Sequence, residues 1–215
     1  MIGYASNTGT KRNLEALRKA GWRIMLTPDN PTPREALPYA IDNGAWKAFQ
    51  QNQPFDAEAF SSLVEKHGGA ADFVVIPDIV AGGNKSLRFS LEWLPKLRHL
   101  RKVLLPVQDG MDMGAVAEVI RQWPGCGIFL GGSTEWKLQN IYTCGIMAVA
   151  LKCYYHVGRV NTVRRIRRCW QAGADSFDGT SATKYCCTLP KLESARQQPS
   201  IPGLFVPIKY LRFSG

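Results

Sequence analysis

Three aspartates, a glutamine, a histidine and a Gly-Gly pair stand in the same local setting along this 215-residue chain. Asp42 lies in AIDNGAW, Asp78 in VVIPDIVAGG, Gln108 in LLPVQDG, Gly131 and Gly132 in IFLGGST, His156 in CYYHVGR and Asp178 in SFDGT. Each ends an apolar run of strand length and precedes small or turn-forming residues. Three carboxylates in one pocket can move protons, attack an electrophilic carbon or accept hydrogen bonds from a polar planar ligand. An amide and a Gly-Gly turn add donors. Taken alone, any one of them is equally well a loop cap, and Asp178 ahead of Gly179 can bond to its own turn. No GxGxxG follows a strand and no GxxxxGK[ST] occurs, so dinucleotide and P-loop chemistry lack their phosphate cradle.

Elements that could gather these residues alternate along the chain. Ile2 to Ala5, Trp22 to Leu26, Tyr39 to Asp42, Phe73 to Ile76, Val103 to Val107, Gly127 to Leu130, Ala150 to His156 and Ala174 to Phe177 read as strands. Between them, Lys11 to Ala20, Asp56 to Lys66, Asn84 to Leu100, Met113 to Trp123 and Ser133 to Met147 read as helices, with Pro95 kinking or ending the third. Asp56 and Ser133 are placed to start their helices, Gly21 and Gly173 to stop theirs, and Asn161 to cap the helix before Gly173. Thr27 to Pro38 is too rich in proline for regular helix. Eight such β-α units predict an α/β fold, a compact (β/α)8 TIM-like barrel in one domain, with 191–215 as a C-terminal tail. An open doubly wound sheet is the alternative. Both folds put ligand sites at the carboxyl ends of strands, where the seven residues would meet.

Composition narrows the function. Hydrophobic content of 45% with 20% charged residues is that of a globular domain. No apolar run approaches the ~20 residues needed to span a bilayer, and MIGYASNTGTKRN lacks a secretory layout, so a cytoplasmic location without membrane association is expected. Six cysteines (126, 144, 153, 169, 186 and 187) form no CxxC pair, which predicts neither a metal site nor a disulfide framework. Lys and Arg number 27 against 17 Asp and Glu, a net charge of +10. Such a surplus suits a phosphate-bearing partner, because neutralising phosphates releases counterions. Nucleic acid leads, with a merely solubilising surface as the alternative.

Taken in order, DNGAW, VIPD, VQDG, LGG and GADSFDGTSATK resemble motifs of the queuine tRNA-ribosyltransferase (tRNA-guanine transglycosylase) superfamily, most closely its DNA-acting deazapurine branch, found largely in phages and DNA-modification clusters. The resemblance runs from Ala40 to Lys184. It implies a base exchange in which guanine leaves DNA and a free 7-deazaguanine, such as 7-cyano-7-deazaguanine, takes its place with the backbone intact. It also implies host cytoplasm as the location if the protein is phage-encoded. Asp178 matches the family's nucleophile at C1′, and Asp42 its general acid and base. Asp78 matches the carboxylate that pairs with the N1 and 2-amino edge of guanine, while Gln108 and the amides near Gly131 and Gly132 match contacts to O6. Asn43 is expected in the same pocket, although Asn43-Gly44-Ala45 departs from the Ser-Gly-Gly that follows the general acid in the family, so the details of the base pocket differ.

Elementary chemistry agrees with these roles. Glycosyl transfer passes through an oxocarbenium-like state that a carboxylate can trap, and guanine offers two donors on one edge beside an acceptor. Its base must be flipped out or unpaired to be reached. Basic residues would hold the strand. Arg159 and Lys184 are expected beside the mouth, with Arg164, Arg165, Arg167 and Arg168 outward on a helix whose inward stripe is Val163, Ile166 and Trp170. His156 is expected to contact phosphate or move a proton, with a hydrogen-bonded structural histidine as the alternative. The family's CxCxxC-plus-His zinc pattern is replaced here by Cys186-Cys187 alone, so no cofactor is expected and DNA is favoured over tRNA. Exchange on tRNA and a noncatalytic nucleic-acid-binding subunit remain the alternatives.

Overall fold

A computed structural model describes residues 1–7, 10–34, 36–184, 187–197 and 207–210. Eight parallel strands close into a barrel in sequence order. They are β1 (Ile2–Ser6), β2 (Arg23–Leu26), β3 (Tyr39–Ile41), β4 (Val74–Val75), β5 (Val103–Val107), β6 (Cys126–Leu130), β7 (Tyr155–Val157) and β8 (Ser176–Gly179). β1 pairs with β8, Tyr4 opposite Asp178, which seals the sheet. Closure leaves no strand of the sheet with an unpaired edge.

Side chains alternate between two cores, because the strand period is two. Tyr4, Met25, Ala40, Phe73, Val75 and Leu104 pack together inside the barrel, with Phe129 and Tyr154 against them. The intervening residues, among them Ala5, Ile24, Leu26, Ile41, Val74, Leu105, Ile128, Val157 and Phe177, face the helices. That parity fixes where the chemistry points. Asp42 follows inward Ala40 by two residues and Gln108 follows Leu104 by four, so each is the first inward position beyond its strand, while Asp178, two after Ser176, is the last inward side chain of β8.

The helical layer is α1 (Lys11–Lys19), α2 (Ala45–Gln50), α3 (Ala57–His67), α4 (Asn84–Leu97), α5 (Met113–Gln122), α6 (Thr134–Ala150), α7 (Val163–Gln171), α8 (Ser181–Lys184) and α9 (Leu189–Gln197). The expected stop and start residues behave as such at several ends. Asp56 accepts from the Ala59 amide at 2.9 Å, Ser133 caps α6, and Gly21 and Gly173 take φ of +66° and +77°. Among the described residues no helix is long and apolar enough to cross a membrane.

Several boundaries differ from the sequence reading. The apolar run after Met147 continues α6 to Ala150 rather than opening a strand, because Ile141, Cys144, Gly145 and Ala148 form one buried helical stripe. Periodicity alone does not separate these cases over so short a run. β7 therefore starts only at Tyr155. Thr162, not Asn161, caps α7, while Asn161 accepts from the Ser181 amide at 3.0 Å and ties the β7 and β8 loops together. Ile166 and Cys169 bury α7; Val163 and Trp170 are only half-buried. α4 ends at Leu97, inside the turn that holds Pro95. Residues 191–197 belong to α9, which anchors on the barrel's far end: Glu193 accepts from Trp22 Nε1 at 2.5 Å and pairs with Arg196 at 2.7 Å.

Candidate active site

At the carboxyl ends of the strands lies a cleft of about 1000 Å³. Met25, Val75, Pro106 and Phe129 line its depth, and Asp42, Asp78 and Asp178 look into it. Asn43, Gln108, Gly131, Gly132 and Arg159 also line it. Its volume is at the upper end of the ~300–1,000 Å³ of small-molecule pockets, which leaves room for more than one planar ring.

Asp178 is braced chiefly through one oxygen. Oδ1 lies 2.9 Å from His156 Nε2, and the Arg159 amide reaches both oxygens at 3.3 Å. His156 Nδ1 in turn lies 2.7 Å from Ser176 Oγ. With Asp178 ionised and the imidazole neutral, the chain of protons has one direction: Ser176 donates to Nδ1 and Nε2–H donates to Asp178. Oδ2 is bonded only through the shared Arg159 amide among the described residues, which leaves it the oxygen available to an electrophile.

His156 itself is fully buried and lies flat on Phe129, ring centroids 4.9 Å apart. Its expected contact with phosphate or substrate is therefore corrected. It faces the barrel interior behind Asp178, because an inward residue below the last position of a strand is covered by the layer above it. The alternative of a hydrogen-bonded histidine matches the geometry.

Asp42 accepts from the Gly44 amide at 2.7 Å through Oδ1. Burial pushes its carboxyl up to about 7, opposed by that amide and reinforced by the negative charges of Asp178 and Asp78. Asp78 is raised to about 6, again chiefly by burial, while hydrogen bonds from Asn43 and Gln108 hold it down. Those bonds are 2.8 Å each, Asn43 Nδ2 to Oδ1 and Gln108 Nε2 to Oδ2. Each oxygen keeps a lone pair, so Asp78 can still accept two parallel N–H groups from a ligand edge.

Gln108 acts on Asp78 more than on the cleft. Its Nε2 also reaches Ile79 O at 3.0 Å and Ser86 Oγ at 2.8 Å, and its Oε1 accepts from the Ala81 amide at 2.7 Å. At 2% exposure no donor is spare for a ligand, so the expected direct contact to O6 becomes a positioning role. Asn43 works the same way: besides Asp78 it donates to Ile76 O at 2.8 Å and accepts from the Ala45 amide at 2.9 Å. The Gly131 amide is taken by Val107 O at 2.9 Å. Gly132, at φ +76°, has no room for a side chain, since a Cβ would lie 2.3 Å from Asp109 Oδ2. Asp109 needs that space to hold the Ser133 amide and hydroxyl at 2.7 and 2.6 Å.

Of the expected cationic grip, Arg159 lines the cleft. It sits at φ +56°, donates through Nη2 to Gly132 O, and lays its guanidinium over the Trp46 ring at 3.8 Å. Arg164, Arg165 and Arg168 do not reach the cleft. They belong to α7 on the outside of the barrel, where only the strand-to-helix loops face the mouth. Arg165 instead borders a separate apolar cavity of about 20 Å³ with Lys137. The Lys184 side chain and Cys186 lie outside the described residues. Among the described residues no cluster of three His, Cys, Asp or Glu side chains is set to hold a metal ion.

Sequence reasoning missed two supports. Lys137 is buried on α6 and donates to Gly158 O, fixing from behind the turn that brings the Arg159 amide to Asp178; burial lowers its ammonium to about 8, with Asp178 opposing. A lysine within the apolar stripe of α6 was the available signal. Trp46 and Phe49 line the rim from α2. Their three-residue spacing is that of a core-facing helix, which hid them. Compared with known families the chain matches no family model, and no curated protein matches it.

Proposed function

We propose that this protein is a base-exchange transglycosylase that removes guanine from DNA and installs a 7-deazaguanine through a glycosyl ester on Asp178. The observation that carries the reading is the arrangement of three carboxylates with three different supports around one cleft. Asp178 is braced on Oδ1 with Oδ2 held only by the shared Arg159 amide, Asp42 is half-buried with its carboxyl raised to about 7, and Asp78 is held open by two amides.

In the first half-reaction Asp178 Oδ2 attacks C1′ and the C1′–N9 bond breaks. Its electron pair leaves with guanine, which takes the proton of Asp42. A carboxyl near 7 is divided between its acid and base forms at neutral pH, which suits a group that must give a proton and then accept one. Asp78 accepts N1–H and one 2-amino hydrogen, and this edge is shared by guanine and 7-deazaguanine. In the second half the incoming base loses its N9 proton to Asp42, N9 attacks C1′, and the ester bond to Asp178 breaks. Two inversions leave the sugar configuration unchanged.

The test is incubation with guanine-containing DNA and 7-cyano-7-deazaguanine, followed by digestion to nucleosides and mass spectrometry. The deazaguanine nucleoside should appear with the wild type and vanish with Asp178→Ala. Undiminished exchange by Asp178→Ala overturns the nucleophile. Absence of exchange by the wild type on both DNA and tRNA overturns the activity.

A further inference from the structure

Five large apolar side chains are exposed among the described residues: Trp46, Phe49, Ile79, Leu91 and Ile146. Isolated ones are ordinary on a protein surface. Trp46 and Phe49 are not isolated, because both stand on α2 at the rim of the cleft. They are 40% and 55% exposed, and their rings stack with centroids 5.9 Å apart and planes at 29°. The guanidinium of Arg159, reaching from the loop after β7, lies over the same indole. A cation, an indole and a phenyl ring thus form one column across the mouth. Its outer member is the most exposed of the five side chains, so the hydration cost of this aromatic surface is not relieved by the protein's own core.

What covers such a column must present flat aromatic faces and tolerate a cationic neighbour. The net charge of +10 adds that it should carry negative charge. Unpaired nucleotides combine both properties, whereas a duplex hides its base faces in its own stack. We propose that the Trp46–Phe49 stack docks an unpaired base next to the nucleotide held over Asp42 and Asp178, so that the polymer is single-stranded DNA where it crosses the mouth. The identity of the polymer rests on the transglycosylase reading above, but docking is measured without turnover.

Fluorescence anisotropy with labelled single-stranded oligodeoxynucleotides bearing one guanine tests it, at one fixed salt concentration. Phe49→Ala and Phe49→Leu should weaken binding roughly tenfold, within the range of one base–aromatic stack. Phe49→Tyr should bind like the wild type. With abasic sites flanking the guanine, the wild type and Phe49→Ala should bind alike, at the weakened level. Wild-type affinity in Phe49→Ala or Phe49→Leu, a persistent difference on the abasic strand, tighter binding of duplex than of single strand, or no binding by the wild type each overturns the proposal. If exchange fails by mass spectrometry while the Phe49→Ala loss persists, the catalytic reading falls and the docking surface stands; the reverse result removes the docking surface alone.

Discussion

The imidazole Nε2 of His156 lies 2.9 Å from Oδ1 of Asp178, and neither group depends on a ligand to be there. β7 and β8 are paired in register, His156 opposite Ser176, so the strand that carries the carboxylate also carries the hydroxyl that orients its brace. Preorganisation of this kind fixes which oxygen is the less engaged before any ligand arrives.

His156→Gln should therefore lower kcat at least tenfold and leave KM for the polynucleotide within about twofold, because ground-state binding does not use the ring. His156→Ala should in addition cost about 1–3 kcal/mol in urea unfolding, since it removes a buried ring that Ser176 bonds and that packs on Phe129. Equal losses in kcat and KM would place the ring in binding instead.

The pH dependence follows from Asp42. Its folded carboxyl titrates near 7, well above its ordinary 3.8, so the folded state binds more protons than the unfolded state between these values. Its contribution favours the folded state below about 4 and is lost as pH rises towards 7, after which the buried charge is a net cost. Asp42→Asn should accordingly unfold at higher denaturant than the wild type at pH 8, by on the order of 1–3 kcal/mol, and match it at pH 4. In single-turnover release of guanine, the wild-type rate should fall as pH rises past 7 and Asp42→Asn should show neither the rate nor the inflection.

Gln108→Leu removes a hydrogen bond that holds the Asp78 carboxyl down, strips the Ala81 amide of its partner and leaves Ser86 Oγ with the Ile79 amide. Asp78 should then titrate higher still and accept N–H donors less well at neutral pH. We expect KM for 7-cyano-7-deazaguanine to rise about tenfold, with part of the loss recovered by raising the pH, and stability to fall by about 1–3 kcal/mol. A KM independent of pH in the variant argues against Asp78 as the base-edge acceptor.

Alternation of strand and helix patterns was sufficient to predict the barrel, because each parallel strand buried on two sides must be followed by an amphipathic helix that covers it. It also placed Asp42, Asp78, Gln108, Gly131-Gly132 and Asp178 at one end, since a strand's polarity and its terminal turn are local properties. Three-dimensional packing decided the rest. Whether His156 faced the cleft or the interior depended on the layer above it, and whether Gln108 offered a donor to a ligand depended on Ile79, Ala81 and Ser86 having claimed its amide. Arg164 and Arg167 are exposed on α7 while Arg165 and Arg168 are half-buried, and only barrel curvature reveals that this face is away from the mouth. Trp46 and Phe49 carry the spacing of a core helix, and nothing local to AWKAF states that their neighbour is an open cleft. Periodicity reports which face of an element is apolar; what that face meets is set by chain segments far away in sequence.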